Sequence, residues 1–524
     1  MDGRKCQPVQ PGGPIQGDQV GQSITRHDGA AASLPSQPER RMLTSRLFWG
    51  LLLVFFLKNS VAVSQEREAA PAAGMPLPLL ATREGEDWPS FLGPRGDGTS
   101  SLAEFELPWP ETGPDIVWQA EMGEGYGSPA VARGRLVLFD RVGDKARLRC
   151  LNAETGESLW EVSDPTSYRD TFGYDGGPRC CPVIAGNRVL TLNADGLLTC
   201  RCLADGKRHW QIDTTSRYHV VQNFFGVGAA PLVVEVPNNN ALKHLPAPKR
   251  QLVVVPVGGS EAGTAPPAPE RLDLVKGVDS GVVAFDLSDG REVWRTSAEL
   301  ASYSSPVLAM FGGRPRLLAW LREHLLVIDP ATGRETGSFR WRADELFSVN
   351  AATPVVIGDQ VLLSETYGPG AVLLRVTAAG QGDRFTPIWT SPKRARADAT
   401  LRAHWATPIV YEGHVYGCSG RNAGDARLVC ANLATGEVRW SEQGLARSSL
   451  VRAGDKMLVF GEFGDLVVVQ ATPIAYTTLA KTTFTDPATG DPLLGVPCWA
   501  APVIARGYAY LRGANRVVCI DLAP

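Results

Sequence analysis

The adjacent thiols of Cys180 and Cys181 are the most unusual pair of reactive groups in this sequence. Two neighbouring cysteines can close a strained disulfide ring, and strained disulfides are the labile, redox-active ones. The pair precedes Pro182, at a place where other parts of the chain have a small residue before proline. It therefore has two interpretations: a functional vicinal disulfide, or two small apolar side chains selected for packing.

The other reactive groups do not form a known catalytic or metal-binding motif. Cys200 and Cys202 place two thiols on one strand face, but no second Cys or His pair accompanies them at metal spacing. Four acidic residues lie in candidate loops outside any recognisable pattern: Asp170, Asp175, Glu365 and Asp398. The chain has no Cys-x-x-Cys-His, Gly-x-Ser-x-Gly or His-Glu-x-x-His motif and no phosphate loop. We assign no catalytic residue and no metal ligand.

The composition is that of a large, folded protein with many turns. The chain has 524 residues, of which 44% are hydrophobic, and a formal net charge of -3. This charge gives no reason to expect nucleic acid or an acidic membrane surface as a partner. The 55 Gly and 39 Pro residues are typical of an all-β chain rich in turns.

One short pattern recurs along the chain and must position all of these groups. It is clearest at 150–160 and 430–440, with shorter copies at 285–294 and 203–210 and a looser one at 328–335. An apolar strand ends in Asp or Asn, a Thr-Gly or Asp-Gly turn follows, and Trp lies four residues after the Gly. We expect these tryptophans to be largely buried between repeats: Trp160, Trp210, Trp294 and Trp440.

Eight units of this kind follow from about residue 112, each opening with a short apolar strand. Their openings are Ser128-Pro129, Cys181-Pro182, Ala230-Pro231, Ser305-Pro306, Thr353-Pro354, Thr407-Pro408, Ser449-Leu450 and Ala501-Pro502. Proline is tolerated at the first position of a strand because no ladder donor is needed there. Four short antiparallel strands, repeated every ~40–50 residues, predict a β-propeller.

The two ends of the repeat array predict how the ring closes. The last unit ends at 517–522 without a fourth strand, whereas 112–120 has a Thr-Gly turn and Trp118 with no unit of its own. The N-terminal stretch therefore supplies the outer strand of the last blade, which removes open edges. The predicted fold is an all-β, eight-bladed propeller over 112–524. Unit seven lacks the turn after Gln470, and 486–490 is interpreted as an inserted loop.

The N-terminal region is interpreted in three parts. Residues 1–41 are a disordered leader, 42–64 a signal peptide or uncleaved anchor, and 65–111 a linker and N-terminal loop. The apolar run from Leu47 to Leu57 is short of the ~20 residues of a spanning helix, and cleavage after Ser64 is expected. Translation from Met42 would give an ordinary signal. The protein is thus expected to be exported, with membrane association only through an uncleaved anchor.

The repeats, together with the opening Trp88-Pro89…Phe91…Gly93-Pro94, resemble those of the pyrroloquinoline quinone (PQQ)-like β-propeller family. That family includes secreted bacterial repeat proteins, PQQ-dependent alcohol dehydrogenases and the outer-membrane-assembly propeller lipoprotein. The resemblance covers roughly 87–524 and implies the fold more strongly than the activity. Trp88 and Phe91 are expected to anchor their loop on the outside of the folded body.

For the dehydrogenases of the family, the resemblance implies calcium bound by carboxylate and amide oxygens, a catalytic Asp, and a Trp beneath the quinone. It also implies a vicinal cysteine ring packed against the cofactor, a role open to Cys180 and Cys181. The calcium ligands, the Asp and the Trp cannot be matched to positions of this sequence. The cofactor is therefore left unassigned, with PQQ and calcium as one possibility.

Loops that join the fourth strand to the next first strand share the channel face of a propeller. Here they are rich in aromatic and amide side chains, which suit a binding site on a rigid scaffold. The alternative is that these side chains only seal the channel and pack blade against blade. The candidate ligand-face residues are Tyr174, Tyr218, Asn223, Phe225, Tyr303, Asn350, His404 and Trp405.

Three functions are compatible with the sequence. The first is a non-catalytic scaffold of the periplasm or envelope that binds a protein or small ligand on its channel face. The second is a PQQ- and calcium-dependent alcohol or sugar dehydrogenase. The third is a structural envelope component without a pocket. The lack of an assignable catalytic constellation favours the first.

Overall fold

The structure is a computed structural model that describes residues 83–237, 249–380, 382–392 and 400–523. The leader 1–41, the segment 42–64 and the first part of the linker lie outside the described residues, as does Asp398. Within those ranges, no helix has both the length and the apolar character needed to cross a bilayer.

The described chain is built almost entirely of short strands. The first half contains β1 (Thr99–Ser100), β2 (Ile116–Glu121), β3 (Ala130–Ala132), β4 (Arg135–Val142), β5 (Lys145–Asn152), β6 (Ser158–Pro165), β7 (Val183–Ala185), β8 (Arg188–Leu192), β9 (Leu197–Cys202), β10 (Arg208–Asp213), β11 (Leu232–Pro237), β12 (Lys249–Pro256), β13 (Val282–Asp286), β14 (Glu292–Thr296), β15 (Val307–Phe311) and β16 (Arg314–Trp320). The second half contains β17 (His324–Ile328), β18 (Glu335–Arg340), β19 (Val355–Ile357), β20 (Gln360–Glu365), β21 (Gly370–Ala379), β22 (Gly382–Thr390), β23 (Ile409–Tyr411), β24 (His414–Ser419), β25 (Arg427–Asn432), β26 (Val438–Glu442), β27 (Ser449–Ala453), β28 (Lys456–Phe460), β29 (Asp465–Gln470), β30 (Thr478–Thr483), β31 (Val503–Ala505), β32 (Tyr508–Arg512) and β33 (Arg516–Asp521). One helical turn, α1 (Thr214–Tyr218), and a 3-10 turn at Leu272–Leu274 complete the set.

These strands form eight antiparallel blades, which confirms the predicted eight-bladed propeller. Blades one to six are the consecutive sets β3–β6, β7–β10, β11–β14, β15–β18, β19–β22 and β23–β26. Blade seven is β27–β30 with β1 added in parallel to its inner strand, and blade eight is β31–β33 with β2 as its outer strand. The loop 486–490 follows β30, as expected of an insertion after blade seven.

A tryptophan of the outer strand joins a blade to the turn region of the next blade at six of the eight interfaces, through Trp118, Trp160, Trp210, Trp294, Trp389 and Trp440. Each indole N–H donates to a carbonyl at the end of the third strand of the following blade, as from Trp210 to Leu287 at 2.9 Å. The ring also lies on the turn glycine of that blade: a Cβ on Gly290 would come within 2.8 Å of the Trp210 ring. Glycine is therefore required at position 290 for two reasons: a side chain there would collide with the indole, and the backbone has a positive φ of 75°.

The burial of the four predicted tryptophans is uneven. Trp210 and Trp294 are 8% and 7% exposed, whereas Trp160 and Trp440 are only half-buried, although both donate the same hydrogen bond. Trp389 in blade five makes the same contact with Gly436 and was not foreseen. Cys150, Cys200 and Cys430 occupy equivalent positions, since each lies opposite the tryptophan of its own blade.

Blade four lacks the tryptophan because blade five lacks the turn that would receive it. The long β21–β22 hairpin replaces that turn and passes so close to Gly337 that a Cβ there would be 2.3 Å from the Asp383 carbonyl oxygen. Asp383 is buried and accepts hydrogen bonds from Arg316 (2.7 Å) and Thr336 (2.6 Å) of blade four. A buried ion pair thus replaces the indole at this interface.

The ring closes through the N-terminal strand, as predicted. β2 pairs with β33 in antiparallel register, with Trp118 opposite Cys519, and the Trp118 indole donates to Ala153 of blade one at 2.9 Å. The closing strand therefore carries the same inter-blade contact as the other outer strands.

The N-terminal loop lies inside the ring, which corrects the expectation that it packs on the outside. Trp88 is 3% exposed and exchanges two 2.8 Å backbone hydrogen bonds with Val131 of the inner strand of blade one. The chain then crosses the channel and reaches blade seven, where Thr99 pairs with Arg452. Pairing with open inner strand edges explains this path, since each of those edges has unpaired backbone groups.

Candidate ligand pocket on the channel face

A pocket of ≈ 200 Å³ occupies the centre of the ring on the channel face. Its wall contains one residue per blade, always three positions before the proline of the strand opening, or before Leu450 in blade seven. In blade order these are Tyr126, Arg179, Gly228, Tyr303, Ala351, Trp405, Arg447 and Trp499. The same position of each repeat lies at the same place in its blade, so these eight residues together form a ring around the channel.

A second ring lies two residues further along each strand. Ser128, Cys181, Ala230, Ser305, Thr407, Ser449 and Ala501 all line the pocket from this position. Alternate residues of an extended chain point the same way, so this ring lies beneath the first. Hydrogen bonds tie it together: Ala230 N–H donates to Ser305 Oγ at 2.9 Å, and Ser128 Oγ–H donates to Ala501 O at 2.7 Å.

Phe91 and Leu92 of the channel-crossing loop also line the pocket. Their loop pairs with inner strands below the two rings, so these side chains form the floor. The channel is thereby closed at this depth, and the cavity is a blind pocket. Tyr174, Phe225 and His404 complete the lining at the mouth.

Five of the eight residues of the upper ring, Trp405, Arg447, Trp499, Tyr126 and Arg179, form a continuous wall of aromatic and guanidinium groups. The Arg447 guanidinium lies 5.3 Å from the Trp405 ring centroid and 4.7 Å from that of Trp499. Trp499 packs at 4.9 Å against Tyr126, over which Arg179 lies at 5.1 Å. Stacked cation–π contacts of this kind hold the rings in place. Of the other three residues, Tyr303 is also aromatic, whereas Gly228 and Ala351 have small side chains and leave room for a guest.

Carboxylates behind the wall pair with both arginines. Arg179 donates to Asp170 at 2.9 Å and to Asp175 at 2.8 Å. Arg447 pairs with the buried Glu462, which also accepts the Trp499 indole N–H at 3.1 Å. Burial alone would raise the pKa of Glu462, but its bonds with Arg447 outweigh burial and hold the pKa below its usual value. The wall is therefore rigid and nearly charge-balanced.

The imidazole of His404 is held neutral at the pocket mouth. Burial, reinforced by the nearby charges of Arg447 and Arg421, lowers the pKa of His404 to about 3. Its Nε2 lies 3.3 Å from the Tyr367 hydroxyl, and its Nδ1 is buried with no partner in the described part of the chain. The ring packs against Trp405 at 4.7 Å, so His404 supports the wall from behind.

Cys180 and Cys181 are both free, buried thiols in the structure. Cys181 occupies the lower ring, where its Sγ accepts the Ser128 N–H at 3.2 Å, the same bond that Ser305 makes to Ala230. Cys180 Sγ instead bonds the Cys181 carbonyl oxygen at 3.0 Å and packs in the core between blades two and three. Burial raises the pKa of the Cys181 thiol to about 11, so it is not an activated nucleophile.

Of the eight predicted ligand-face residues, five line the pocket: Tyr174, Phe225, Tyr303, His404 and Trp405. The other three do not. Tyr218 is buried and donates to Glu292 at 2.7 Å, and Asn350 is buried with its amide donating to Leu321 O at 2.8 Å. Asn223 lines a separate cavity of ≈ 370 Å³ near blades two and three.

Sequence reasoning missed Tyr126, Arg179, Arg447 and Trp499 as wall residues. A usable signal existed, since each lies three positions before the proline of its strand opening, or before Leu450 for Arg447, as Tyr303 and Trp405 do. The aromatic and amide content of a loop gives no weight to a lone residue in a short loop, such as Arg447.

The donor set does not fit a calcium–quinone site. Asp170 and Asp175 are engaged by Arg179, and Glu365 accepts two backbone N–H groups at 2.9 Å. Calcium requires six to eight oxygen ligands, several of them carboxylates facing one point. In the ranges that the structure covers, no cluster of three or more potential metal ligands exists. The thiols of Cys180 and Cys181, for which the resemblance to the dehydrogenases implies a ring against the cofactor, make separate contacts here.

The fold and the pocket define an eight-bladed propeller of the PQQ-like repeat class with a closed, aromatic central pocket. The family whose model matches residues 110–235 and 248–471 is described as outer membrane protein assembly factor BamB. The match extends over well more than half of the chain, and the chain belongs to this family. No curated protein sequence matches it.

Solved propellers with low sequence identity are also similar. BamB from Moraxella catarrhalis is 13% identical with a TM-score of 0.48, covering 78% of this chain and 97% of that one. Quinohemoprotein alcohol dehydrogenase from Comamonas testosteroni is 14% identical with a TM-score of 0.44, covering 83% and 80%. A europium-containing methanol dehydrogenase is 12% identical with a TM-score of 0.42, covering 83% and 91%.

Proposed function

We propose that this protein is a non-catalytic scaffold of the cell envelope that binds an apolar, aromatic-bearing guest in its channel-face pocket. The guest is a segment of a protein partner or a small molecule. The family description points to outer-membrane assembly as the setting in which a protein partner would be found.

One observation carries this proposal: the pocket is rigid, apolar and aromatic, and its reactive groups are inactive. Tyr126, Trp405 and Trp499 present large ring surfaces, which bind apolar guests at low entropic cost. The arginines are paired with carboxylates, His404 is neutral and Cys181 is a protonated thiol. Among the described side chains that line the pocket, none is poised as a general base or nucleophile.

The exposed rim extends this apolar surface outward. Phe172 is 42% exposed and packs at 5.6 Å on the buried Phe224, which in turn contacts Phe347 at 5.9 Å. A guest that enters the pocket therefore has a second apolar surface to cover, as expected for a peptide segment rather than an isolated small molecule.

Binding can be tested with a pocket-filling variant. The probe is the apolar dye anilinonaphthalene sulfonate, and the variant is Ala351→Trp, which places at blade five the residue already present in blades six and eight. We expect saturable, one-to-one binding that Ala351→Trp abolishes and that Val438→Trp, on an outer strand, leaves intact. Equal binding by all three proteins would place the dye outside the pocket.

The dehydrogenase alternative is tested in the same titration with PQQ and calcium. The scaffold predicts no calcium-dependent quenching of the tryptophan fluorescence. Tight, calcium-dependent binding of PQQ would overturn the scaffold and favour the alternative.

A photo-crosslinking residue at Phe172 tests for a protein partner in growing cells. The matched control is Val438, which is 41% exposed on the outer strand of blade six. We expect one discrete adduct from position 172, none from 438, and loss of the adduct when Ala351→Trp is added. The same adduct from both positions would contradict recognition at the pocket.

Envelope location is part of the proposal and rests on the basic and apolar segments of residues 42–64. Cell fractionation with N-terminal sequencing is the test. We expect the protein outside the cytoplasm, beginning at Gln65 if the signal is cleaved, and recovery from the cytoplasm with an intact leader would contradict export.

A further inference from the structure

Two buried carboxyl groups stand behind the tryptophan wall, in equivalent turns of different blades. Glu365 is the last residue of β20, the second strand of blade five, and Glu462 lies two residues after β28, the second strand of blade seven. Both are almost fully buried, Glu365 at 1% exposed. Glu462 bonds directly to Arg447 and to the Trp499 indole. Glu365 has no cationic partner among the described residues, so the two turns differ in what stabilises their carboxyl group.

Glu365 holds its turn through three hydrogen bonds. Its Oε2 accepts the N–H groups of Tyr367 and Gly368, both at 2.9 Å, and its Oε1 accepts the Ser348 hydroxyl at 3.2 Å. All three partners are donors, so this geometry suits the ionised carboxylate. In a protonated carboxyl group one oxygen carries a proton and becomes a donor, so the hydrogen bonds that this group accepts from the turn would weaken.

The turn is connected to the pocket through one aromatic chain. The Tyr367 hydroxyl lies 3.3 Å from His404 Nε2, and the Tyr367 and His404 rings meet edge to face at 5.6 Å. His404 packs on Trp405, whose centroid is 5.1 Å from that of Trp499. A change at Glu365 therefore reaches both tryptophans of the wall through contacts between buried or half-buried rings.

We propose that Glu365 is a positioning residue that makes guest binding in the channel pocket dependent on pH, through Tyr367 and His404 to the Trp405–Trp499 wall. The ionised carboxylate holds the binding-competent arrangement, and its protonation weakens that arrangement. The inference rests on the proposed function for its ligand, but the coupling between Glu365 and Trp405 can be measured without one.

The charged groups around Glu365 favour a proton transition near neutral pH. Glu345, from the loop between blades four and five, lies beside the same turn, where its Oε2 would be 3.3 Å from a Cβ on Gly368. Arg421 lies over the outer side of Tyr367 at 4.5 Å, and His404 is neutral. Burial first, with a contribution from Glu345, raises the pKa of Glu365 to about 7, although its hydrogen bonds oppose the shift. Glu462, ion-paired with Arg447, stays ionised over the same range.

The first experiment measures the near-ultraviolet circular dichroism of the tryptophans between pH 5.5 and 8.5, without ligand. We expect a transition centred near pH 7 in the wild type that is absent in Glu365→Gln, since Gln keeps an acceptor for the turn but does not titrate. Tyr367→Phe should keep the titration of Glu365 but reduce the spectral change, because the bond to His404 is lost. Glu235→Gln, at an exposed position of β11 where the carboxylate pairs with Lys249, is the matched control and should titrate like the wild type.

The second experiment measures the affinity for anilinonaphthalene sulfonate, whose charge is constant over this range. We expect the wild type to bind about fivefold more weakly at pH 5.5 than at pH 8.5, a typical coupling for linked sites. Glu365→Gln should bind equally at both pH values. A wild-type spectrum that does not change with pH, or a transition that persists in Glu365→Gln, overturns the inference whether or not the dye binds. Absence of dye binding at every pH, with the spectral transition intact, refutes the proposed function and leaves the coupling established.

Discussion

At the scale of single residues, similar side chains in different blades have different physical roles because of their neighbours. Glu365 and Glu462 lie near the ends of the second strands of their blades and are both buried, but of the two only Glu462 has an arginine beside it among the described residues. The pKa of Glu462 is consequently lowered, whereas that of Glu365 is raised to about 7. Cys181 and Ser305 show the converse, in which different side chains have the same role. The sulfur of Cys181 and the hydroxyl oxygen of Ser305 each accept an equivalent backbone N–H from a neighbouring blade.

Glu365 should make the stability of the protein depend on pH. A carboxyl whose pKa is 4.5 when unfolded and about 7 when folded binds its proton more tightly in the folded state. Its contribution is therefore fully present below pH 4.5 and is lost as pH rises through 7, by about 3 kcal/mol in total. We expect Glu365→Gln to remove this loss. The free energy of unfolding of the variant, minus that of the wild type, should therefore be larger at pH 8 than at pH 6. Urea unfolding at both pH values measures the difference, and parallel curves would refute the assignment.

Cys181 should be replaceable by serine but not by alanine. Serine retains an acceptor for the buried Ser128 N–H, whereas alanine leaves that donor without a partner at a cost of about 1–3 kcal/mol. Thermal unfolding of the two variants tests this, with Cys180→Ala as a control that removes a thiol outside the ring. If the serine variant also lost stability and the wild type responded to reductant, a disulfide would be indicated instead.

At the scale of elements, the unit of construction is the pair formed by an outer strand and the turn of the next blade. Trp118, Trp160, Trp210, Trp294 and Trp389 each lie on the turn glycine of the following blade. Where the β21–β22 hairpin displaces that turn, glycine replaces tryptophan in β18, and Asp383 enters the vacated space. The missing tryptophan of blade four and the missing turn of blade five therefore have one common cause, the long β21–β22 hairpin.

The Asp383–Arg316 pair should be essential to the interface between blades four and five. Removing the carboxylate in Asp383→Ala leaves a buried guanidinium without its partner, which should cost about 3–5 kcal/mol. The double variant Asp383→Leu/Arg316→Met removes both charges and should recover most of that loss. Chemical denaturation of the single and double variants is the measurement. A double variant as unstable as Asp383→Ala would show that packing, and not charge, is lost.

At the scale of the whole molecule, the N-terminal segment closes the structure twice. Residues 116–121 complete blade eight, while the loop from Trp88 to Thr99 crosses the channel and forms the pocket floor. Arg512, buried between blades eight and one, donates to the carbonyl oxygens of Gly127 (2.6 Å) and Phe139 (3.0 Å). Ring closure and pocket formation therefore both depend on the N-terminal part of the described chain, between Trp88 and Glu121.

Deletion of residues 112–121 should destabilise the entire ring. The loss of Trp118 alone, which is 8% exposed, should cost about 3–5 kcal/mol, and the deletion also exposes the edge of β33. The matched control is deletion of 487–490, an exposed loop after β30, which should unfold close to the wild-type midpoint. Calorimetry of both deletions checks the prediction, and an unchanged melting curve for the first would disprove closure by β2.

The repeat array could be predicted from local sequence because turn chemistry and strand alternation are local. Blade number, closure by the Trp118 strand and the inserted loop after blade seven all followed from this pattern. The pocket was predicted less completely. Five of eight candidate residues line it, whereas Tyr218 and Asn350 are used internally, because a loop residue of either type can equally well satisfy a buried partner.

The sequence by itself determined the eight-bladed ring, since each repeat contains the residues of its own turn and of its contact with the next blade. Only the tertiary structure decided what the ring encloses. The alternating wall of Trp405, Arg447 and Trp499 joins residues from three blades, and the floor joins them to a loop more than 300 positions away in the chain. Which carboxyl has a cation beside it was likewise decided by packing, because ion pairing and burial depend on distances that no local pattern records.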